Sequence, residues 1–436
     1  MVNDSEQPIM DDLNQEFALH VVHQLRKAGY QALWAGGCVR DLLLMKTPKD
    51  YDVATDALPD QVRGVFGRRK TLAIGEAFGV IAVLGSKGVE PVEIATFRSD
   101  AEYSDGRHPD SVEFSDPKED AQRRDFTING LFYDPIAEQV IDYVGGQVDL
   151  ENKLIRAIGN PHDRFAEDKL RMLRAVRFAS TYGFQIDDST KVAICENAGE
   201  LNVVSSERIA SETRRMLAHQ SRKRSLELLI ETGLFAEVFS DDDLFDRAKV
   251  DSILPVIDRL ATTRFEPAFA VACLTLSRFD FESASNECRK KLKRWLKNWK
   301  LSNDESQMIL WLLESYSVVM NASVESWPTV QRILVEPQSR ELVAFSKAVA
   351  LALNTTCSAE TNSASLAGIE FCETKLRLPF AKLNPKPLLS GDDLMAIGMK
   401  PGPKFKLILE QVRDEQLMGR LKSSADAIGF AKSLNE

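Results

Sequence analysis

Residue types that could do chemistry fall in a few short stretches. The first, GGCVRDLLLMKTPKDYDV from Gly36 to Val53, joins a double glycine to two aspartates one residue apart, Asp50 and Asp52. Glycine lets a backbone approach a ligand closely, and the N–H groups that open a helix favour anions. Gly36 and Gly37, set before the helix-like VRDLLLM, therefore have the makings of a phosphate cradle. Residues two apart in an extended strand share a face, so the carboxylates of Asp50 and Asp52 would converge. Like charges that close repel unless a cation lies between them, and Mg2+ takes hard oxygen ligands of this kind. Glu93, in VEIATFR, is the candidate third carboxylate on a neighbouring strand. A plain turn followed by a solvated acidic strand end is the alternative reading.

RRDFTING, Arg123 to Gly130, is more unusual, with Arg123, Arg124, Asp125 and Asn129 just ahead of the apolar LFYDP. Arginines grip phosphates bidentately, and a carboxylate accepts hydrogen bonds from ribose hydroxyls. The other reading is a helix start capped by Asp125 with exposed arginines. In EDKLRMLRAVRF, Glu167 to Phe178, helical spacing i, i+3 would set Asp168 and Arg171 on one face. Such a pair is either a surface ion pair of small value or, in a cleft, a reader of a base edge. RKKLKRWLKNWK, Arg289 to Lys300, concentrates positive charge. Trp295 and Trp299 are spaced to face a core, leaving Lys290, Lys291, Lys293, Arg294, Lys297 and Lys300 either solvated or available to phosphates.

The elements that must position these residues change character along the chain. Residues 13–28 have helical apolar spacing, whereas YQALWA, 79–84 and 92–97 read as strands, which together predict a small mixed domain. Residues 98–122 are polar and rich in Gly, Pro, Asp and Ser, as functional or mobile segments are. From about residue 151 helical periodicity takes over, with breaks at 354–365 and 383–391. A length of 436 residues implies more than one domain. The net charge of −10 argues against indiscriminate nucleic-acid binding but leaves room for a local basic groove. Six scattered cysteines without a C-x-x-C pair argue against a zinc ribbon or disulfide framework. The polar N-terminus and the lack of a long apolar run predict a cytoplasmic protein with no membrane span.

Taken in order, GG-x-VRD, D-x-D, ATFR, RRDFTING and EDKLR resemble the tRNA nucleotidyltransferases, the CCA-adding enzymes, and the bacterial poly(A) polymerases of the same class II, polymerase-β-like superfamily. The likeness spans roughly residues 30–235, and SSERIASETRRML and RSLELLIETGLFAEVF extend it. It implies an α+β fold: a nucleotidyltransferase head over 1–150, then an all-helical neck (151–235), body (236–353) and tail (354–436). It implies that Gly36 and Gly37 hold the triphosphate with Arg40 nearby, that Asp50 and Asp52 bind two Mg2+ ions, and that Glu93 assists. Asp125 would meet the ribose, Arg124 and Arg123 the phosphates, with Asn129 in the same motif. Asp168 and Arg171 would read the base of CTP or ATP, supported by Glu167 and Arg174. The partner implied is tRNA, held by the helical tail, with no obligate protein partner. Poly(A) addition, or addition of only CC or only A, is the alternative, since GRRK at 67–70 approaches a poly(A) polymerase signature. Gly130 departs from the alanine more usual in the family, expected to be a small change. No histidine–aspartate phosphohydrolase motif is visible among the five histidines, so no second activity is expected.

Overall fold

The computed structural model describes residues 7–75, 79–100, 112–241, 244–279, 281, 285–353 and 359–434. The chain divides into two compact units, Met1–Met216 with Arg224–Val238, and Leu217–Lys223 with Phe239–Glu436.

The first unit opens with α1 (Gln7–Lys27), β1 (Ala32–Ala35), α2 (Gly37–Leu43), β2 (Asp52–Thr55) and α3 (Pro59–Phe66). Strands β3 (Thr71–Gly75), β4 (Val80–Val83), β5 (Val92–Thr96), β6 (Arg98–Asp100) and β7 (Val112–Phe114) follow, then α4 (Pro117–Gln122), β8 (Phe132–Asp134) and β9 (Gln139–Ile141). Seven strands make one sheet in the order β3-β4-β5-β2-β1-β8-β9, with β2 and β5 parallel and the other pairs antiparallel. On α1, Ala18, Val21, Val22 and Leu25 are fully buried, the i, i+3, i+4, i+7 stripe that a helix needs to lie on a sheet. Leu33, Ala35, Ala54, Phe97, Ala121 and Phe132 form a core cluster, with the Phe97 and Phe132 rings edge to face at 5.9 Å.

The described ends of the polar 98–122 stretch carry regular elements. Its two ends pair as β6 and β7 and run into α4, which Asp116 caps by accepting the N–H groups of Lys118 and Glu119. The middle, 101–111, lies outside the described residues.

Helical structure then dominates: α5 (Gly146–Glu151), α6 (Pro161–Glu167), α7 (Leu170–Tyr182), α8 (Asp188–Asn197), α9 (Ser206–Leu217), α10 (Arg222–Glu231) and α11 (Leu234–Val238). Within it, β10 (Leu154–Ile155) and β11 (Gln185–Ile186) form a two-residue parallel ladder. EDKLRMLRAVRF is not one continuous helix. α6 ends at Glu167 and α7 starts at Leu170, so Asp168 lies in the break with extended φ and ψ of −150° and 105°.

The second unit carries α12 (Ile253–Arg259), α13 (Phe265–Leu276), α14 (Asn286–Asn298), α15 (Asn303–Met320), α16 (Trp327–Leu334) and α17 (Ser339–Leu353). It continues with α18 (Ala359–Leu376), α19 (Phe380–Leu383), α20 (Gly391–Ala396), α21 (Pro403–Leu417) and α22 (Ser424–Ser433). Trp295 and Trp299 are buried against Phe239 and Phe269. Lys290, Lys293, Arg294 and Lys297 consequently lie on the exposed side of α14 with Lys300 just beyond, and Lys291 is half-buried. No described helix is long and apolar enough to cross a membrane.

Candidate active site

Strand register builds the site. Ala35 faces Asp52 across β1 and β2, and Asp52 faces Glu93 across β2 and β5. Directly paired residues point to the same face, so the residue before the glycine turn and two carboxylates stand in one row. Asp50 precedes β2 in a bend rather than within the strand. It still acts on Asp52, whose carboxyl is pushed up to about 7 by burial, then by the charges of Asp50 and Glu93, with Arg124 pulling the other way. Among the described residues no three His, Cys, Asp or Glu side chains meet as a finished metal cage. The donor set nonetheless suits a hard cation: oxygen ligands only, around a carboxylate that its like-charged neighbours disfavour in the charged state.

At the end of β1 the chain turns at Gly36, whose φ of 71° and ψ of −122° lie in a region that only glycine adopts readily. A Cβ there would stand 2.8 Å from Arg124 Nη1, so the guanidinium lies directly on the glycine backbone. Gly37 opens α2 with an ordinary φ. Arg124 stacks over the Phe132 ring and donates from Nη1 to the Asn129 carbonyl at 3.2 Å.

Asp120, on α4, holds both arginines of RRD. Its Oδ1 accepts from Arg123 Nε and Nη2 at 2.9 and 2.7 Å, and its Oδ2 from Arg124 Nε and Nη2 at 3.2 and 2.9 Å. Burial raises the Asp120 carboxyl, but Arg124 and then Arg123 outweigh it and hold it below its ordinary value.

Behind the turn, Arg40 is buried, donates to Asp41 and to Asn129 Oδ1 (2.6 Å), and stacks on Phe178 and Tyr182 of α7. Asn129 Nδ2 donates to Asp125 Oδ1 at 3.0 Å, and Asp125 Oδ2 accepts from Arg174 Nε and Nη2 at 2.8 and 2.6 Å. A continuous hydrogen-bonded line, Arg40–Asn129–Asp125–Arg174, thus ties α2 to α7. Burial raises Asp125, yet Arg174 and Asn129 bring it down to about 2. Asp125 does not cap a helix; its backbone neighbour Phe126 donates to the same Oδ1 at 2.8 Å.

Asp168 and Arg171 are not set on one helical face. Because Asp168 sits in the break between helices, its carboxylate turns to Arg208 on α9, which donates to both oxygens at 3.1 and 2.7 Å. Oδ1 also accepts the Leu170 N–H. Arg171 instead donates to Glu167 Oε2, to the Arg164 carbonyl and to the Arg123 carbonyl, and Arg164 pairs with Glu167 at 2.7 Å. Gly130 is also more constrained than expected: a Cβ there would meet Val144 Cγ2 at 2.7 Å and Ile158 Cδ1 at 3.1 Å.

Comparison with known proteins shows the family. The "Poly A polymerase head domain" family matches residues 32–156, the family described as "Probable RNA and SrmB- binding site of polymerase A" matches 183–243, and that described as "tRNA nucleotidyltransferase domain 2 putative" matches 284–431. The CCA-adding enzyme of Lactobacillus helveticus is 31% identical over 413 residues, covering 94% of this chain and 95% of that one. The chain belongs to the CCA-adding enzyme family. Among solved structures, the Bacillus stearothermophilus CCA-adding enzyme in complex with CTP superposes with a TM-score of 0.73 at 26% identity, over 96% of this chain and 97% of that one. The Thermotoga maritima CCA-adding enzyme complexed with tRNA shares the fold, with a TM-score of 0.66 at 19% identity, over 97% and 95% of the two chains. As a CCA-adding family member, the protein is an RNA nucleotidyltransferase.

Asp120, Arg164 and Arg208 escaped the sequence reading. Asp120 had a signal, since it precedes Arg123 and Arg124 by three and four residues, the spacing at which helical side chains meet. Arg208 had none: it lies 40 residues from Asp168 on another helix.

Proposed function

We propose that this enzyme adds or repairs the 3′-terminal CCA of tRNA, taking CMP from CTP and AMP from ATP. The observation that carries this reading is the row of Ala35, Asp52 and Glu93, which sets the glycine turn beside the acidic pair under Arg124. Gly36, Gly37 and Arg124 hold the triphosphate, with Arg123 alongside, and Asp125 meets the ribose. Arg40 and Asn129, both buried, act from behind by fixing α2 and Asp125. Asp168 and Arg171 face the base, with Arg208 and Glu167 orienting their polar atoms, and Arg174 fixing Asp125.

Asp50 and Asp52, with Glu93 as third carboxylate, would hold Mg2+, which when bound activates the RNA 3′-hydroxyl and neutralises charge on the departing pyrophosphate. The chain's own groups position and neutralise. The hydroxyl attacks the α-phosphorus, pyrophosphate leaves, and arginine N–H groups take up charge on its oxygens. On the second unit, the exposed basic side of α14 and the tail from 354 to 436 are proposed to take the tRNA phosphate backbone.

Full-length similarity to CCA-adding enzymes favours this reading over poly(A) synthesis. The test supplies tRNA lacking its CCA end with CTP, ATP, or both. Sequential incorporation of two CMP and one AMP is expected. ATP-dependent tailing without CMP incorporation would instead establish the poly(A) reading.

A further inference from the structure

Asp120 is a charged group that the proposed chemistry does not use. It is 1% exposed, and both its oxygens are occupied by the two arginines that follow it. Arg123 and Arg124 are consecutive where α4 ends, and consecutive side chains on a helix point about 100° apart. A shared carboxylate draws them onto one side. The three nitrogens of Arg124 are thereby fixed, Nε and Nη2 on Asp120 and Nη1 on the Asn129 carbonyl. The same Nη1 lies 2.8 Å from where a Gly36 Cβ would stand. A guanidinium has five N–H donors, and three of these bonds leave an outer edge with donors to spare. Asp120 also reaches the strand side of the site: Arg98 N–H donates to its Oδ1 at 3.4 Å, and Arg123 Nε reaches the Arg98 carbonyl at 3.1 Å.

We propose that Asp120 is a positioning residue for nucleotide binding, aiming the Arg124 guanidinium at the Gly36 turn so that its outer edge meets the phosphates of the incoming triphosphate. The proposal rests on the CCA-adding reading of the site. A freely rotating arginine would have to be ordered during binding, whereas this one is ordered beforehand, so the benefit falls on nucleotide affinity. Because Asp120 acts on phosphates and not bases, CTP and ATP depend on it equally.

The test is a double-mutant cycle on the full chain, with Asp120→Asn, Arg124→Gln and both together, reading kcat and KM for CTP and ATP and the inhibition constant of inorganic tripolyphosphate. Wild-type CMP and AMP incorporation is measured first; its absence defeats the functional reading rather than this one. With an active wild type, Asp120→Asn is expected to raise both KM values and the tripolyphosphate constant about tenfold, with a smaller change in kcat. In the Arg124→Gln background the same substitution should add less than about twofold. Equal effects in both backgrounds, or a loss confined to kcat, would overturn the proposal. If Asp120→Asn does not fold, Asp120→Glu replaces it in the same cycle. That change keeps the charge but lengthens the side chain by one methylene, and a folded Glu variant with wild-type KM would equally overturn it.

Discussion

Replacing Gly36 by alanine tests the phosphate cradle directly. Two penalties follow from the geometry. The backbone at φ 71° and ψ −122° is one that a residue with a Cβ adopts only under strain, at about 1–3 kcal/mol. The added Cβ would also stand 2.8 Å from Arg124 Nη1, a contact relieved only if the guanidinium moves. Moving it breaks the 3.2 Å bond to the Asn129 carbonyl and withdraws the positive group from the turn, and a charge-assisted hydrogen bond is worth about 1.5–3 kcal/mol. Gly183 provides a control for a positive φ without the contact: it lies in the left-handed helical region at φ 71° and ψ 31°, a milder strain than at Gly36, and has open space where its Cβ would go. Both variants should lose stability in urea denaturation. Only Gly36→Ala should lose nucleotide affinity, with kcat/KM for CTP down about tenfold to a hundredfold beyond any change in Gly183→Ala. Incorporation of radiolabelled CMP into tRNA lacking CCA measures this. If Gly36→Ala turns over CTP as Gly183→Ala does, the Gly36 turn does not hold the triphosphate.

Arg208→Ala frees both oxygens of Asp168, and it should lower kcat/KM for CTP and ATP about tenfold and raise relative incorporation of UMP and GMP; unchanged selectivity would remove Arg208 from base reading. Asp125 has a folded pKa of about 2, below its ordinary 3.8, so its contribution is complete above pH 3.8 and is lost as pH falls towards 2. Asp125→Asn should therefore flatten the loss of stability between pH 4 and pH 2 by roughly 2 kcal/mol in urea titrations. Asp52 has the opposite sign: its folded value near 7 lies above 3.8, so the penalty of charging it grows as pH rises from 4 through 7. At pH 8 without divalent cations Asp52→Asn should melt above the wild type, and added Mg2+ should raise Tm for the wild type much more than for the variant. In the second unit, Trp295→Ala removes a buried ring and should cost about 3–5 kcal/mol. Lys293→Ala with Lys297→Ala should leave stability within about 0.5 kcal/mol while weakening tRNA binding and flattening its salt dependence.

The order of motifs was legible because each is local. Gly36-Gly37, Asp50-x-Asp52, RRDFTING and EDKLR are short runs that suit phosphate, cation and base chemistry, although each by itself also suits a plain turn, a capped helix start or a surface ion pair. The strands at 92–97 and YQALWA, and the buried tryptophans of α14, were equally legible, because apolar period and side-chain branching act over a few residues. Partners were less legible. Asp168 and Arg171 are three apart and looked like a pair, but a helix break between them sent Asp168 to Arg208 and left Arg171 to Glu167. Gly130 looked replaceable until Val144 and Ile158 were seen against it.

The sequence by itself determined which groups are present and which kind of chemistry they suit, since composition and spacing are properties of the chain. Tertiary structure decided which group faces which. Asp52 meets Glu93 through strand register, Arg40 reaches Asp125 through Asn129, and Arg124 rests on Gly36 because Asp120 holds it there. Those pairings join residues tens of positions apart, and the short Asp120 bridge matters only through the distant glycine it serves. Hydrogen-bond geometry and charge act over a few ångströms in space, a distance that only folding defines.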